Sequence, residues 1–117
     1  MREYTGALPF QDLCKQEDLL LVQFGSADCG PCLALRQKLS LWQERHGNVE
    51  ALYVSTEQHP ALAAQEGIFV VPTILFYVDG HCALRESGCF SLEQLLRQVE
   101  RDLTLIAEAC NDLKQEK

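Results

Sequence analysis

Cys29 and Cys32 are separated by Gly30-Pro31, a spacing at which two sulfurs can close a small disulfide ring. If the pair opens a helix, the positive end of the helix dipole favours the thiolate of the first cysteine. Cys29 is then the nucleophile that attacks a disulfide to give a mixed disulfide. Cys32, one helical turn on, resolves it and leaves the pair oxidised. A Cys-x-x-Cys pair is also half of a zinc site, which needs two further ligands. His81 with Cys82, or Cys82 with Cys89, are the closely spaced candidates. Neither has the regular spacing of a second ligand pair, so no metal site is expected.

The flanking elements favour the redox chemistry. Leu19 to Phe24 is a short apolar run bounded by charge and by Gly25-Ser26, as a buried strand would be. After Cys32, the residues Leu33, Leu35, Leu39 and Trp42 recur near helical spacing, and Gly47 supplies a stop. Val49 to Ser55 is predicted to be a second buried strand, and Pro60 to Glu66 a short Ala-rich helix ended by Gly67. Ile68 to Val78 is dense in β-branched and aromatic residues. Asp79-Gly80 then turns the chain into a strand around Cys82 to Glu86. Two β-α-β units followed by a hairpin make an α/β protein with a mixed sheet and helices on its faces.

Ser91 is the predicted cap of a last helix, along which Leu92, Leu96, Val99, Leu103, Ile106, Cys110 and Leu113 follow in steps of four and three. Such a stripe spans about 24 residues, or roughly 36 Å, longer than a small sheet needs. Two readings stay open: the second half folds back on its own domain, or residues beyond about Arg101 form a homodimer seam.

The 117 residues fall in the single-domain range, with no linker, repeat or low-complexity tract. A net charge of -7 works against nucleic acid or an anionic membrane, which need clustered Lys and Arg. No stretch approaches the ~18 apolar residues of a membrane span, and no apolar run follows Arg2 as a signal peptide would require. The expected setting is therefore the cytoplasm. In that reducing compartment most of the six cysteines stay free, with Cys14, Cys82, Cys89 and Cys110 as small buried hydrophobes. Whether Cys82 and Cys89 pair is left open.

The run Phe24-Gly25-Ser26-Ala27-Asp28-Cys29-Gly30-Pro31-Cys32 and the run Gly67-Ile68-Phe69-Val70-Val71-Pro72-Thr73, about forty residues apart, together resemble the thioredoxin family over residues 3 to 101. The resemblance implies a thioredoxin fold, here with an extended C-terminal helix, and a redox-active Cys29-Cys32 pair with no other cofactor. It implies a cis Pro72 opposite the cysteines and a Val71 backbone free to pair with an extended client segment, an arrangement that holds a peptide by its main chain. Gly30, Pro31, Asp28, Phe69 and Val70 complete the implied client-binding rim.

The chain departs from the family pattern at several points. The Trp that normally precedes the motif is Asp28, and the earlier aromatic of that loop is Gly25. A carboxylate beside Cys29 opposes the helix dipole, or steers basic substrates toward the pair, or is a solvated loop charge of little effect. The buried Asp of the family aligns with Gln23 and its Lys companion with Tyr53. Gln cannot shuttle a proton, and the expectation is a neutral hydrogen-bonded Gln23-Tyr53 pair with a slow resolving step. Phe69 and Val70 make the rim before Pro72 more apolar, or are ordinary packing.

The function expected from this combination is reduction of protein disulfides by dithiol exchange, with a dithiol or a flavoprotein reductase as electron source. The alternative is a thioredoxin-like binding, accessory or redox-sensing protein dedicated to one client. The missing loop aromatics, Gln23, Tyr53 and the long last helix speak for that alternative.

Overall fold

The computed structural model describes residues 1–115, with side chains described as far as Cys110. Buried, β-branched and aromatic runs form the central strands. β2 (Leu19–Gly25), β3 (Glu50–Ser55) and β4 (Thr73–Val78) are almost wholly buried, as strands covered on both faces must be. β1 (Arg2–Glu3) and β5 (His81–Ser87) lie at the edges, giving the order β1-β3-β2-β4-β5. β3 runs parallel to both β1 and β2, whereas β4 is antiparallel to β2 and to β5. The sheet is thus mixed, as expected. The second of the two anticipated β-α-β units is instead an antiparallel return: β4 lies on the far side of β2 from β3 and runs against it.

Four helices cover the sheet: α1 (Phe10–Gln16), α2 (Gly30–Arg45), α3 (Pro60–Gln65) and α4 (Leu92–Gln115). On one face α1 and α3 bury Phe10, Leu13, Cys14 and Ala63 against Leu20, Val22, Phe24 and Leu75. On the other, α2 and α4 bury Leu39, Leu92, Leu95 and Val99 against Leu21, Val49, Ile74 and Phe76. Neither α1 nor the two-residue β1 stands out in the sequence, since both are too short to establish a period.

Ile68 to Val78 is not one continuous strand. Gly67 has a φ of 69° and β4 begins only at Thr73, after a loop of residues 68 to 72. Asp79 and Gly80, with φ of 49° and 82°, make the tight hairpin turn that their sequence announces. Ser91 caps α4 as expected, its Oγ accepting from the Gln94 amide at 3.2 Å.

Within α4 the core face is Leu92, Leu95 and Val99, with Leu96 and Leu103 at its margin. Leu95, absent from the anticipated stripe, is buried at 5% exposure, whereas Leu96 is only partly buried. Beyond Ile106 the described residues of α4 are exposed, and the side chain of Leu113 lies outside the described residues. Leu33, expected on the core face of α2, is 61% exposed beside the cysteine pair. Leu39 takes the central place on that face.

Candidate active site

The site lies at the end of the sheet where β2 stops. Phe24 pairs with Thr73 across the antiparallel β2/β4 ladder. That register sets the segment following Phe24, which carries the cysteines, beside the segment preceding Thr73, which carries Pro72. The two motifs, far apart in the chain, therefore meet at one end of the two central strands.

Cys29 and Cys32 form a disulfide, with their Cα atoms 5.2 Å apart. Cys29 is the N-cap of α2, with Gly30 and Pro31 in its first turn. Proline is tolerated there because the first turn has no intrahelical acceptor for its missing N–H. The Cys32 amide is shared between the Cys29 carbonyl and the Cys29 sulfur, 3.2 Å from each, so a helix N–H and the helix dipole both face that sulfur. Cys29, Gly30 and Pro31 reach the surface, while Cys32 is 1% exposed. One sulfur is accessible and electrophilically supported, and the other is sheltered beneath it.

Asp28 is exposed immediately before the pair. Glu57, which the sequence alone could not place, accepts a 2.7 Å hydrogen bond from the Ala27 amide and so braces the same loop. No local pattern identifies that contact, since Glu57 comes from the turn after β3, thirty residues along the chain.

Gln23 is wholly buried, and its Nε2 donates to the Cys32 carbonyl at 2.7 Å. Its Oε1 finds no hydrogen-bond partner in the protein. The expected Gln23-Tyr53 hydrogen bond is therefore not formed. In the parallel register the two residues are lateral neighbours on adjacent strands, yet the Gln23 amide turns to α2. Tyr53 instead lies under the Arg36 guanidinium, 4.1 Å from its ring centroid. Its own environment raises its pKa, chiefly through burial. Arg36, one turn beyond Cys32, was not singled out by any sequence pattern, since a cation stacked on an aromatic ring across two elements leaves no local trace.

The Val71–Pro72 peptide bond is cis. Pro72 is buried, Val71 half-buried, and among the described residues neither the N–H nor the C=O of Val71 has a hydrogen-bond partner. Phe69 and Val70 are 88% and 51% exposed. They do not pack into the core, although the loop that carries them is anchored on both sides. Ile68 is buried and its amide bonds to Ala63 O at 2.8 Å. Arg85 donates to the carbonyls of Glu66 and Gly67 at 2.9 and 2.6 Å. Thr73 Oγ1 donates to Val70 O at 2.5 Å, and the Gly88 amide donates to Pro72 O at 2.8 Å.

The remaining cysteines take no part. Cys14 is buried as expected, but Cys82, Cys89 and Cys110 are exposed free thiols rather than buried hydrophobes, and Cys82 and Cys89 do not pair. Among the described residues no group of three or more His, Cys, Asp or Glu is placed to hold a metal ion, and none of the described helices is long and apolar enough to cross a membrane.

Comparison with known proteins agrees with this geometry. The family model described as Thioredoxin matches residues 4–101. A thioredoxin of Streptomyces clavuligerus is 33% identical over 86 residues, covering 74% of this chain and 80% of its own. Thioredoxin-2 of Pyricularia oryzae is 32% identical over 76 residues, 65% of this chain, and the match spans only 44% of that longer protein. Among solved structures, Fasciola hepatica thioredoxin superposes with a TM-score of 0.77 at 27% identity, covering 86% of this chain and 98% of that one. Mitochondrial thioredoxin 3 of Saccharomyces cerevisiae, in its oxidised form, gives a TM-score of 0.76 at 22% identity over 87% and 94% of the two chains, a likeness of fold. The disulfide at the start of α2, the fold around it and these relatives together show that the chain belongs to the thioredoxin family of thiol-disulfide oxidoreductases.

Proposed function

We propose that this protein reduces disulfides in protein clients, with Cys29 as the attacking and Cys32 as the resolving cysteine. The observation that carries the assignment of roles is the asymmetry of the pair: Cys29 reaches the surface and accepts the Cys32 amide, while Cys32 is buried. In the reduced protein Cys29 thiolate attacks a client sulfur, forming a mixed disulfide and releasing the other client sulfur. Cys32 then attacks Cys29, the Cys29-client bond breaks, and two electrons have passed to the client.

The client lies as an extended segment along Val71, whose free N–H and C=O offer strand-like pairing. Pro72, Gly30 and Pro31 form the floor and far wall of this docking site. Phe69 and Val70 supply an apolar rim, and Asp28 a carboxylate that favours a basic residue next to the client cysteine. A dithiol or a flavoprotein reductase returns the pair to the reduced state. Four free thiols among six cysteines suit a reducing compartment, the cytoplasm. The exposed Leu105, beyond the part of α4 that covers the sheet, supports self-association through the end of that helix.

Turnover of an unrelated protein disulfide such as that of insulin, with dithiothreitol as reductant, tests the assignment. Catalysis abolished by Cys29→Ser is the expected result. A wild-type protein that forms no mixed disulfide and reduces nothing would leave a dedicated binding module as the function.

A further inference from the structure

The resolving step of the proposed dithiol exchange places a negative charge on Cys32, and a thiolate in a buried position is costly unless a donor meets it. Few groups are available. Apart from tyrosines, the buried polar side chains among the described residues are Gln23, Ser55 and Thr73. Thr73 Oγ1 donates to Val70 O and Gln23 Nε2 gives one N–H to the Cys32 carbonyl, while Ser55 Oγ accepts from the Gln58 amide and keeps its own O–H.

Tyr53 remains. It is 8% exposed, and its hydroxyl makes no hydrogen bond within the protein among the described residues, its oxygen keeping some contact with solvent. Its position is set by Gly25. A carbon placed on Gly25 would stand 2.9 Å from Tyr53 Oη and 3.1 Å from Cys32 Cβ. The space that Gly25 leaves by lacking a side chain is thus where the phenol and Cys32 approach each other. The Arg36 guanidinium over the Tyr53 ring fixes that orientation from one turn along α2.

We propose that the Tyr53 hydroxyl donates a hydrogen bond to the Cys32 thiolate and so stabilises the resolving nucleophile, a role that rests on the dithiol chemistry proposed above. The phenol stays a donor near neutral pH: burial raises its pKa, Arg36 from α2 opposes, and Glu3 from β1 and Glu57 after β3 reinforce the rise. In the step itself Cys32 yields its proton to solvent and its sulfur bonds to Cys29. The Cys29-client bond breaks, and the departing client thiolate takes up a proton. Tyr53 keeps its own proton throughout.

The test is acid-quenched single turnover of a disulfide peptide by the reduced full-length chain, with mixed disulfide counted by mass spectrometry, beside a carbon-13 NMR titration of the Cys32 Cβ. Tyr53→Phe removes one hydroxyl. Loss of a hydrogen bond to a charged group should slow decay of the mixed disulfide by about tenfold or more. The Cys32 titration should move to higher pH. Gly25→Ala, which keeps the hydroxyl but displaces it, should slow the same decay. Mixed disulfide that forms and decays at the wild-type rate in both variants, with an unmoved titration, overturns the role of Tyr53 and leaves the dithiol chemistry standing. A wild-type chain that forms no mixed disulfide overturns both.

Discussion

Replacing Gln23 by methionine should stabilise the oxidised protein, although it removes a polar residue from beneath the active site. The side chain is wholly buried, donates one hydrogen bond to the Cys32 carbonyl and leaves Oε1 without a partner in the protein. Losing the bond costs about 0.5–1.5 kcal/mol, and the Cys32 carbonyl keeps its place in the helical ladder. Removing the unsatisfied oxygen returns about 1–3 kcal/mol, and Met matches the shape of Gln closely enough to avoid a cavity. The balance is a gain of roughly 1 kcal/mol, or about 4 °C in Tm for a domain of this size. Thermal and urea unfolding of the oxidised protein, followed by far-UV circular dichroism, gives the number directly. Gln23→Ala, which leaves a void, is the control and should lose stability. A Gln23→Met protein that melts below wild type would refute the reasoning, because it would mean that Oε1 is satisfied and the amide stabilises the fold.

Cys32→Ser should accumulate a mixed disulfide on Cys29 that the wild type does not, visible by non-reducing electrophoresis; equal trapping by Cys29→Ser would reverse the assigned roles. Phe69→Ser should lower kcat/KM on a peptide with an apolar residue beside its disulfide by about tenfold, as loss of an exposed aromatic anchor does, while reduction of hydroxyethyl disulfide is retained. Alkaline pH should destabilise the fold. Burial, then Glu66 and Cys82, push the Cys14 thiol up to about 12 from 9.0, and burial raises Tyr77 as well. The unfolded chain therefore releases protons above about pH 9 that the folded chain still holds, and stability falls as pH rises from there toward 12. Cys14→Ala should flatten that fall in a urea titration. Removal of residues 102 to 117 should convert any dimer to monomer in solution mass measurements; an unchanged mass would end the self-association proposal.

Local pattern carried much of the architecture. The apolar runs at 19–24 and 49–55 and the Asp79-Gly80 turn announce their elements because strand burial and left-handed turn residues act over a few positions. The Cys29-Gly30-Pro31-Cys32 pair announces the chemistry for the same reason: both sulfurs and the helix start lie within one turn. The loop at 68–72 reads as strand because its composition is that of one; the positive φ at Gly67, the hold of Arg85 on the Glu66 and Gly67 carbonyls just before it, and the bonds from Thr73 to Val70 O and from Gly88 to Pro72 O keep it off the sheet.

Relations between segments belong to the tertiary structure. The turn of Gln23 toward α2 instead of Tyr53, the Arg36-Tyr53 stack, the brace from Glu57 to Ala27 and the choice of Leu95 for the core face of α4 each depend on how one element lies against another. Spacing along one chain encodes which side chains share a face. It does not encode which of two nearby partners a buried amide or phenol will meet, because differences of an ångström or less in packing decide that choice.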